Sequence, residues 1–226
     1  MARMYANMPE IRRVKDEAGF RKALFGLSWY HALLIERKKF KTLGYNIIYK
    51  FNDSDFNVCS DLLASYMGII DEDAIDQPIR SKDKNSKNVN LINWQAVQFL
   101  IAEANYGGWV TDDFDRLLIK TYAMEIFKEE LIKAERWKPP GTNELNYQYP
   151  DESTIKGASD STSSPYDPVF FLEDILKSME AVDHPAAFGQ HINAEITSQI
   201  LDANSLLDDI VVLTPQKLAV EGGNQD

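Results

Sequence analysis

At 226 residues, 44% of them hydrophobic, the chain can bury roughly 70% of its unfolded surface, enough for a sizeable core or two small ones. Its net charge of −11 lacks the basic excess that drives binding to nucleic acid, and an acidic membrane or acidic protein surface would repel the part where the acids concentrate. The longest apolar runs, such as those at residues 32–35 and 210–213, fall far short of the ~20 residues a membrane span needs, and Arg3, Glu10, Arg12, Arg13 and Lys15 interrupt any signal-peptide pattern.

From residue 20 to 40, Phe20, Leu24, Leu27, Leu34 and Ile35 recur at helical spacing, while Phe25, Trp29, Tyr30 and Leu33 cover the other side. A helix apolar nearly all round is a buried one. Its last turn, Glu36-Arg37-Lys38-Lys39, reads as cations placed at the negative end of the helix dipole, with Gly44 permitting a turn beyond it. A second helix is predicted to begin at Asn52-Asp53-Ser54-Asp55, whose short oxygens cap free N–H groups, and to run through Phe56, Cys59, Leu63 and Met67 to about Gly68. Cys59, the chain's single cysteine, cannot form an internal disulfide and reads as a small core residue, which fits a reducing compartment. In such a compartment the Asn52-Asp53-Ser54 glycosylation sequon goes unused. Residues 71–92, acidic and then basic with few apolar anchors, are predicted to form a surface loop.

A third helix should follow Asn93, with Trp94, Val97, Leu100 and Ile101 on one face. The paired Gly107-Gly108 offers it a left-handed C-cap. A fourth is announced by Thr111 as the cap, with Asp112, Asp113 and Asp115 in its first turn and Phe114, Leu118, Tyr122 and Ile126 as its stripe, ending at Pro139-Pro140. Residues 140–168, rich in Pro, Gly, Ser, Asn and Tyr, are predicted to be irregular. Two more helices are predicted, at about 168–181 and 194–213. The latter is capped by Asn193, striped by Ile196, Ile200, Leu207 and Ile210, and halted before Pro215, with a fraying tail from Glu221. Charge divides the chain near Pro139-Pro140: residues 139–226 hold 15 acids against Lys156, Lys177 and Lys217, whereas 1–138 are nearly balanced.

The residues do not assemble into a catalytic, cofactor-binding or metal site. No G-x-x-x-x-G-K-[ST] phosphate loop occurs. Ile69-Ile70-Asp71-Glu72 has the outline of a Walker B strand, but it follows a predicted helix and leads into a polar loop. Asp112, Asp113 and Asp115 have the chemistry of a divalent-ion site but lack a twelve-residue calcium loop, so helix-start capping accounts for them more simply. His31, His184 and His191 lie far apart without metal-ligand spacing. His31 reads as a core or interhelix residue, and His184 and His191 as loop residues. The four tryptophans read as structural, with Trp109, directly after two glycines, the one placed to be an exposed contact.

Four ordered motifs carry a family resemblance. Phe25-Gly26-Leu27-Ser28-Trp29-Tyr30-His31-Ala32, then Glu36-Arg37-Lys38-Lys39-Phe40 with Leu43-Gly44-Tyr45-Asn46-Ile47 and Tyr49-Lys50-Phe51-Asn52-Asp53-Ser54-Asp55, resemble the lid region of dynein heavy chains. Asn105-Tyr106-Gly107-Gly108-Trp109-Val110-Thr111-Asp112-Asp113-Phe114-Asp115-Arg116 continues the likeness in order. Pro185-Ala186-Ala187-Phe188-Gly189-Gln190-His191 and Asn193-Ala194-Glu195-Ile196 resemble the opening of the dynein C-terminal domain. The Asn-Asp-Ser-Asp and Thr-Asp-Asp wording is closer to axonemal heavy chains, and Phe188-Gly189-Gln190-His191 with Ile47-Ile48-Tyr49 suggests an inner-arm type of the heavy-chain-two class. In two places this chain has Trp109 and Leu117 where the family usually has arginine, and the 71–92 segment is longer than in most axonemal relatives.

The resemblance implies an all-α fold. Residues 1–138 would be the helical AAA+ lid of the sixth module, and 139–226 a Pro-rich connector with the first part of a mostly helical C-terminal domain. It implies a non-catalytic, force-transmitting piece of a microtubule motor, with no cofactor of its own, since ATP and magnesium would act in other modules of the parent. Its partners would be neighbouring AAA+ modules and, through the parent complex, intermediate chains, light chains and microtubules, in the cytoplasm and cytoskeleton of the ciliary or flagellar axoneme. Nucleic acid and membrane would not be among them. Two other readings compete: a free-standing helical adaptor that binds through its acidic second part, and a metal-dependent hydrolase using Asp113 and Asp115.

Overall fold

The apolar surface that encircles residues 20–34 is buried by making that helix the axis around which the others pack. A computed structural model describes residues 17–67, 92–134, 137–142 and 184–214. Among them every regular element is helical, in keeping with the all-α expectation. Helix α1 (Glu17–Glu36) buries Ala23, Leu24, Phe25, Leu27, Trp29, Tyr30, Leu33 and Leu34, and three other helices pack on it. A tight 3-10 turn (Arg37–Leu43) follows, broken at Lys41.

Helix α2 (Asp53–Met67) starts as its sequence predicts. The Asn52 side chain accepts from the backbone N–H groups of Ser54 at 2.9 Å and Asp55 at 3.2 Å, and Asp55 Oδ2 accepts from Asn52 N–H at 2.9 Å, the reciprocal arrangement of a capping box. Phe56, Cys59, Leu63 and Met67 are buried, the stripe read from their spacing.

Helix α3 (Trp94–Phe99) follows Asn93, as predicted, and Asn93 is its cap. It then widens into a π-helical segment (Leu100–Asn105) and tightens into a 3-10 turn (Tyr106–Gly108). The buried line explains the widening. Val97 and Ile101 are four residues apart, but the next fully buried large side chain, Tyr106, is five further on, a step that i→i−5 bonding supplies and i→i−4 bonding does not. The Tyr106 N–H accordingly bonds to Ile101 O.

The paired glycines do not form the left-handed cap that was expected: among the described glycines only Gly141 and Gly189 have positive φ. Gly107 is needed for close approach, because a Cβ there would lie 2.5 Å from Ala102 O, whereas at Gly108 it would meet nothing within 4 Å.

Helix α4 (Asp113–Ile126) is capped by Asp112, not Thr111. Its buried face is Asp115, Ile119, Ala123 and Ile126, one residue round from the predicted stripe, and Phe114 is 77% exposed. The helix also stops well short of Pro139. Phe127 departs from helical geometry to pack against Tyr30 at 5.6 Å between ring centroids, and its freed carbonyl is taken by Gln98 Nε2 at 2.6 Å. A short helix α5 (Glu129–Lys133) follows. Lys22 Nζ satisfies the carbonyls at its end, Ile132 O at 3.1 Å and Ala134 O at 2.8 Å.

In the last described stretch, a 3-10 turn (Pro185–Phe188) precedes helix α6 (Ile192–Leu213). His184 and His191 are caps rather than plain loop residues: each Nδ1 accepts a backbone N–H, from Ala186 and Asn193 respectively, at 3.2 Å. The predicted cap, Asn193, therefore lies inside α6. Its predicted stripe is exposed as well; Ile196, Ile200, Leu207 and Ile210 are each about half accessible, and Ser198 is the buried residue. The expectations for residues 71–91, for 143–168, for a helix at 168–181 and for the tail from 221 lie outside the described residues, as does Ile69-Ile70-Asp71-Glu72.

The paired glycines give a direct check. Gly107→Ala should lower unfolding stability by about 1–3 kcal/mol through backbone crowding, while Gly108→Ala should change it by less than about 0.5 kcal/mol, both read as shifts in the urea midpoint.

Candidate functional site

The basic run expected in the last turn of α1 lies beyond it, because α1 closes at Glu36 with no basic residue in its last turn. Arg37 is buried, and its guanidinium joins three parts of the chain. Nε donates to Gly44 O at 2.7 Å, and Nη1 donates both to the Tyr122 hydroxyl oxygen and to Phe188 O. Tyr122 donates its own proton to the same Phe188 carbonyl at 2.7 Å. The end of α1, the middle of α4 and the turn before α6 thus meet at one side chain. Only a planar group with five N–H donors in fixed directions can serve these acceptors together; a lysine would offer a point charge on a flexible stem. Burial pushes the Tyr122 hydroxyl up to about 12, against the opposing pull of Arg37, so at neutral pH it keeps the proton it donates.

The backbone is shaped to allow this. A Cβ on Gly44 would lie 2.2 Å from Arg37 O, so only glycine lets the two ends of the turn close. Between them Lys41 takes φ 52° and ψ −125°, a region a non-glycine residue occupies at a cost of about 1–3 kcal/mol. Lys41 O accepts from Gly44 N–H at 2.9 Å and Tyr45 N–H at 3.0 Å. The Phe188 ring stands edge-on to Phe40 at 5.2 Å and lies under the Lys39 ammonium at 4.6 Å. Gln190 Nε2 donates to Leu43 O at 2.6 Å. Ser198, the buried residue of α6, donates to Lys39 O at 2.5 Å. Lys41 and Asp202 make an ion pair of 2.6 Å that is largely solvated and contributes little. Beyond it, residues 203–214 are all exposed.

The aspartates at the start of α4 hold a second junction. Asp112 Oδ1 accepts from the N–H groups of Phe114 and Asp115, each at 3.0 Å, and from Asn46 Nδ2 at 3.0 Å. These bonds, first that from Asp115 N–H and then that from Asn46, hold its carboxyl below its ordinary value. Asp115 is buried and accepts from Asn46 N–H and Ile47 N–H at 3.1 Å and from the Tyr49 hydroxyl at 2.9 Å. Burial, and then the bond to Asp115, raise the Tyr49 hydroxyl above its ordinary value. Asp113 is exposed while Asp115 faces inward, so the pair invoked for a metal-dependent hydrolase does not converge. Among the described residues no group of three His, Cys, Asp or Glu side chains could hold a metal ion.

His31 lies in the core, as its helix implied, with Nδ1 2.7 Å from the Tyr106 hydroxyl. Cys59 is also fully buried; desolvation pushes its thiol up to about 12, against the bond from Asn105, so it stays a thiol and a weak nucleophile at neutral pH. Trp109, expected as an exposed contact, is 51% exposed, yet its Nε1 donates to Asp55 Oδ1 at 3.0 Å. A neutral donor therefore occupies one of the two positions where the family pattern has arginine. At the other, Leu117 is exposed on the outer face of α4 and offers no replacement donor. An open groove of about 530 Å³, lined by Glu125, Lys128, Glu130, Trp137 and Lys138 among others, has charges of both signs, and Lys128 already pairs there with both glutamates. Among the described residues, no helix is long and apolar enough to cross a membrane.

Among the described residues the chain is an all-α bundle clasped to the helix that follows. Residues 20–194 match the family model described as the dynein heavy chain AAA lid domain, and the chain belongs to that family. It is 34% identical over 227 residues to dynein axonemal heavy chain 2 of Homo sapiens, covering 100% of this chain and 4% of that protein. It is 35% identical over 211 residues to the dynein-1-beta heavy chain, flagellar inner arm I1 complex, of Chlamydomonas reinhardtii, covering 92% of this chain and 4% of that one. Dynein axonemal heavy chain 5 of Mus musculus is 32% identical over 199 residues. The chain thus spans only 4% of the length of these relatives, and what it matches is a domain of a heavy chain rather than a free-standing adaptor.

Arg37→Met should destabilise the chain by about 2–3 kcal/mol by removing charge-assisted bonds to buried carbonyls, and Tyr122→Phe by about 1 kcal/mol. Lys41→Ala should cost less than about 1 kcal/mol beyond any change in backbone strain. Chemical denaturation of the three variants measures this order.

Proposed function

We propose that this segment is a mechanical coupling element of an axonemal, inner-arm dynein heavy chain. In this reading residues 1–138 are the lid of the sixth AAA+ module, and residues 139–226 are a connector and the start of the C-terminal domain. The likeness to the human axonemal heavy chain 2 and the Chlamydomonas flagellar inner-arm chain supports the subtype, and the charge imbalance across Pro139-Pro140 supports the division. The observation that carries the mechanical part is the clasp. Arg37 and Tyr122 both bind the Phe188 carbonyl, so a displacement of the bundle carries α6 with it. Close-packed interiors shift as units rather than deform smoothly, and a buried polar junction fixes the angle between the units it joins.

The work is supplied elsewhere. The segment has no phosphate loop, so ATP and magnesium act in other modules of the longer chain, and this piece passes their movements on. Its immediate partners are neighbouring AAA+ modules of the same heavy chain. Intermediate chains, light chains and microtubules are reached through the parent complex, which places the protein on the cytoskeleton of the ciliary or flagellar axoneme.

Arg37→Met in the complete heavy chain tests this. ATP turnover should persist while microtubule gliding slows several-fold, the size expected of a coupling loss of about 0.5–2 kcal/mol. Gliding that stays at the unmodified rate would remove the transmission role; loss of ATP turnover in step with gliding would make the segment a support for catalysis instead.

A further inference from the structure

We propose that the π-helical segment Leu100–Asn105 is a two-register joint that sets how firmly α2 is held to the rest of the bundle, independently of the clasp and of the motor reading. In the register described, Tyr106 is fully buried. Its hydroxyl meets His31 Nδ1 at 2.7 Å, and its ring stands edge-on to Tyr30 at 5.2 Å and to Phe51 at 5.5 Å. Its neighbour Asn105 reaches across to α2, where Nδ2 donates to Asp55 O at 2.7 Å and to Cys59 Sγ at 2.9 Å. Both contacts depend on the five-residue step from Ile101 to Tyr106.

Winding the same residues as an α-helix would continue the four-residue step from Val97 to Ile101, which brings Asn105 onto the buried line. Tyr106 would turn away from it by about 100°. The carboxamide can both donate and accept, so Asn105 could meet His31 where the tyrosine hydroxyl stands now. Two terms of opposite sign separate the registers. The π form keeps the aromatic packing of Tyr106 but has the poorer backbone hydrogen bonds that make π-helix rare and short. The α form regains those bonds and gives up the packing. Because Asn105 cannot serve His31 and α2 at once, the change also releases its bonds to Asp55 O and Cys59 Sγ. The contact of α1 with α4 is left in place, since Tyr30 donates to Ile119 O at 3.1 Å without involving the segment. The joint therefore loosens α2 selectively.

Hydrogen exchange of the 226-residue chain, resolved by residue, tests this. The amides of Ala102 and Tyr106 should exchange through a local opening about a hundredfold faster than those of Ile119 and Ala123 in α4, residues buried to the same degree. Tyr106→Phe keeps the ring and removes the bond to His31, so it should speed exchange at 102–106 about a further tenfold while α4 stays unchanged. Should that variant fail to fold, the comparison within the unmodified chain still decides. Equal protection of the two segments in the unmodified chain would overturn the proposal, as would a uniform rise across all helices in Tyr106→Phe.

Discussion

A guanidinium taken out of water loses several kcal/mol of hydration unless protein oxygens replace the lost shell, and the geometry around Arg37 is the arrangement that replaces it. Its partners are a hydroxyl and two backbone carbonyls, Tyr122, Gly44 O and Phe188 O. All three are neutral and come from separate parts of the chain. The demand for oxygens constrains the local backbone: Gly44 must be a glycine to approach Arg37 O, Lys41 must accept a positive φ, and Phe188 must present its carbonyl inward. A junction built this way has a definite angle, because displacing any one element strands a buried donor or acceptor.

The bundle behind the clasp is organised by one helix. Because α1 is buried on nearly every side, its neighbours are placed by what it presents to them. Tyr30 reaches Ile119 O in α4, Lys22 caps the carbonyls at the end of α5, and His31 meets Tyr106 beyond α3. The second junction, where Asp115 takes three donors from residues 46–49, ties the chain leaving the clasp back to α4. The two junctions lie on either side of Gly44, so the clasp is braced by the bundle rather than hung from it.

Much of this was legible in the sequence. The buried character of residues 20–34, the start and stripe of α2, the start of α3 after Asn93 and the core placement of His31 and Cys59 follow from periodicity and capping chemistry. The family was legible from four ordered motifs. What was missed shares a physical cause: a linear pattern reports a side chain's type, not its partner. The run Glu36-Arg37-Lys38-Lys39 looked like charge facing a helix dipole, yet Arg37 is folded inward by a turn that depends on a glycine seven residues on. Helical spacing puts Phe114 on the stripe with Leu118 and Tyr122 and reads Asp115 as first-turn charge, whereas Asp115 is buried by donors from a segment about 68 residues earlier. The paired glycines suggested a left-handed cap, but at Gly107 the need is space beside Ala102 O. The five-residue step to Tyr106 is visible in the sequence once Tyr106 is known to be buried; helical periodicity alone passes over it.

The central claim is that the clasp makes the bundle and α6 a single body. Distance measurement between spin labels at Thr121→Cys on the exposed face of α4 and Ala203→Cys on α6, in a Cys59→Ala background, tests it most directly. The account predicts one narrow distance distribution that broadens when Arg37→Met is added. A broad or multiple distribution with Arg37 in place would contradict it.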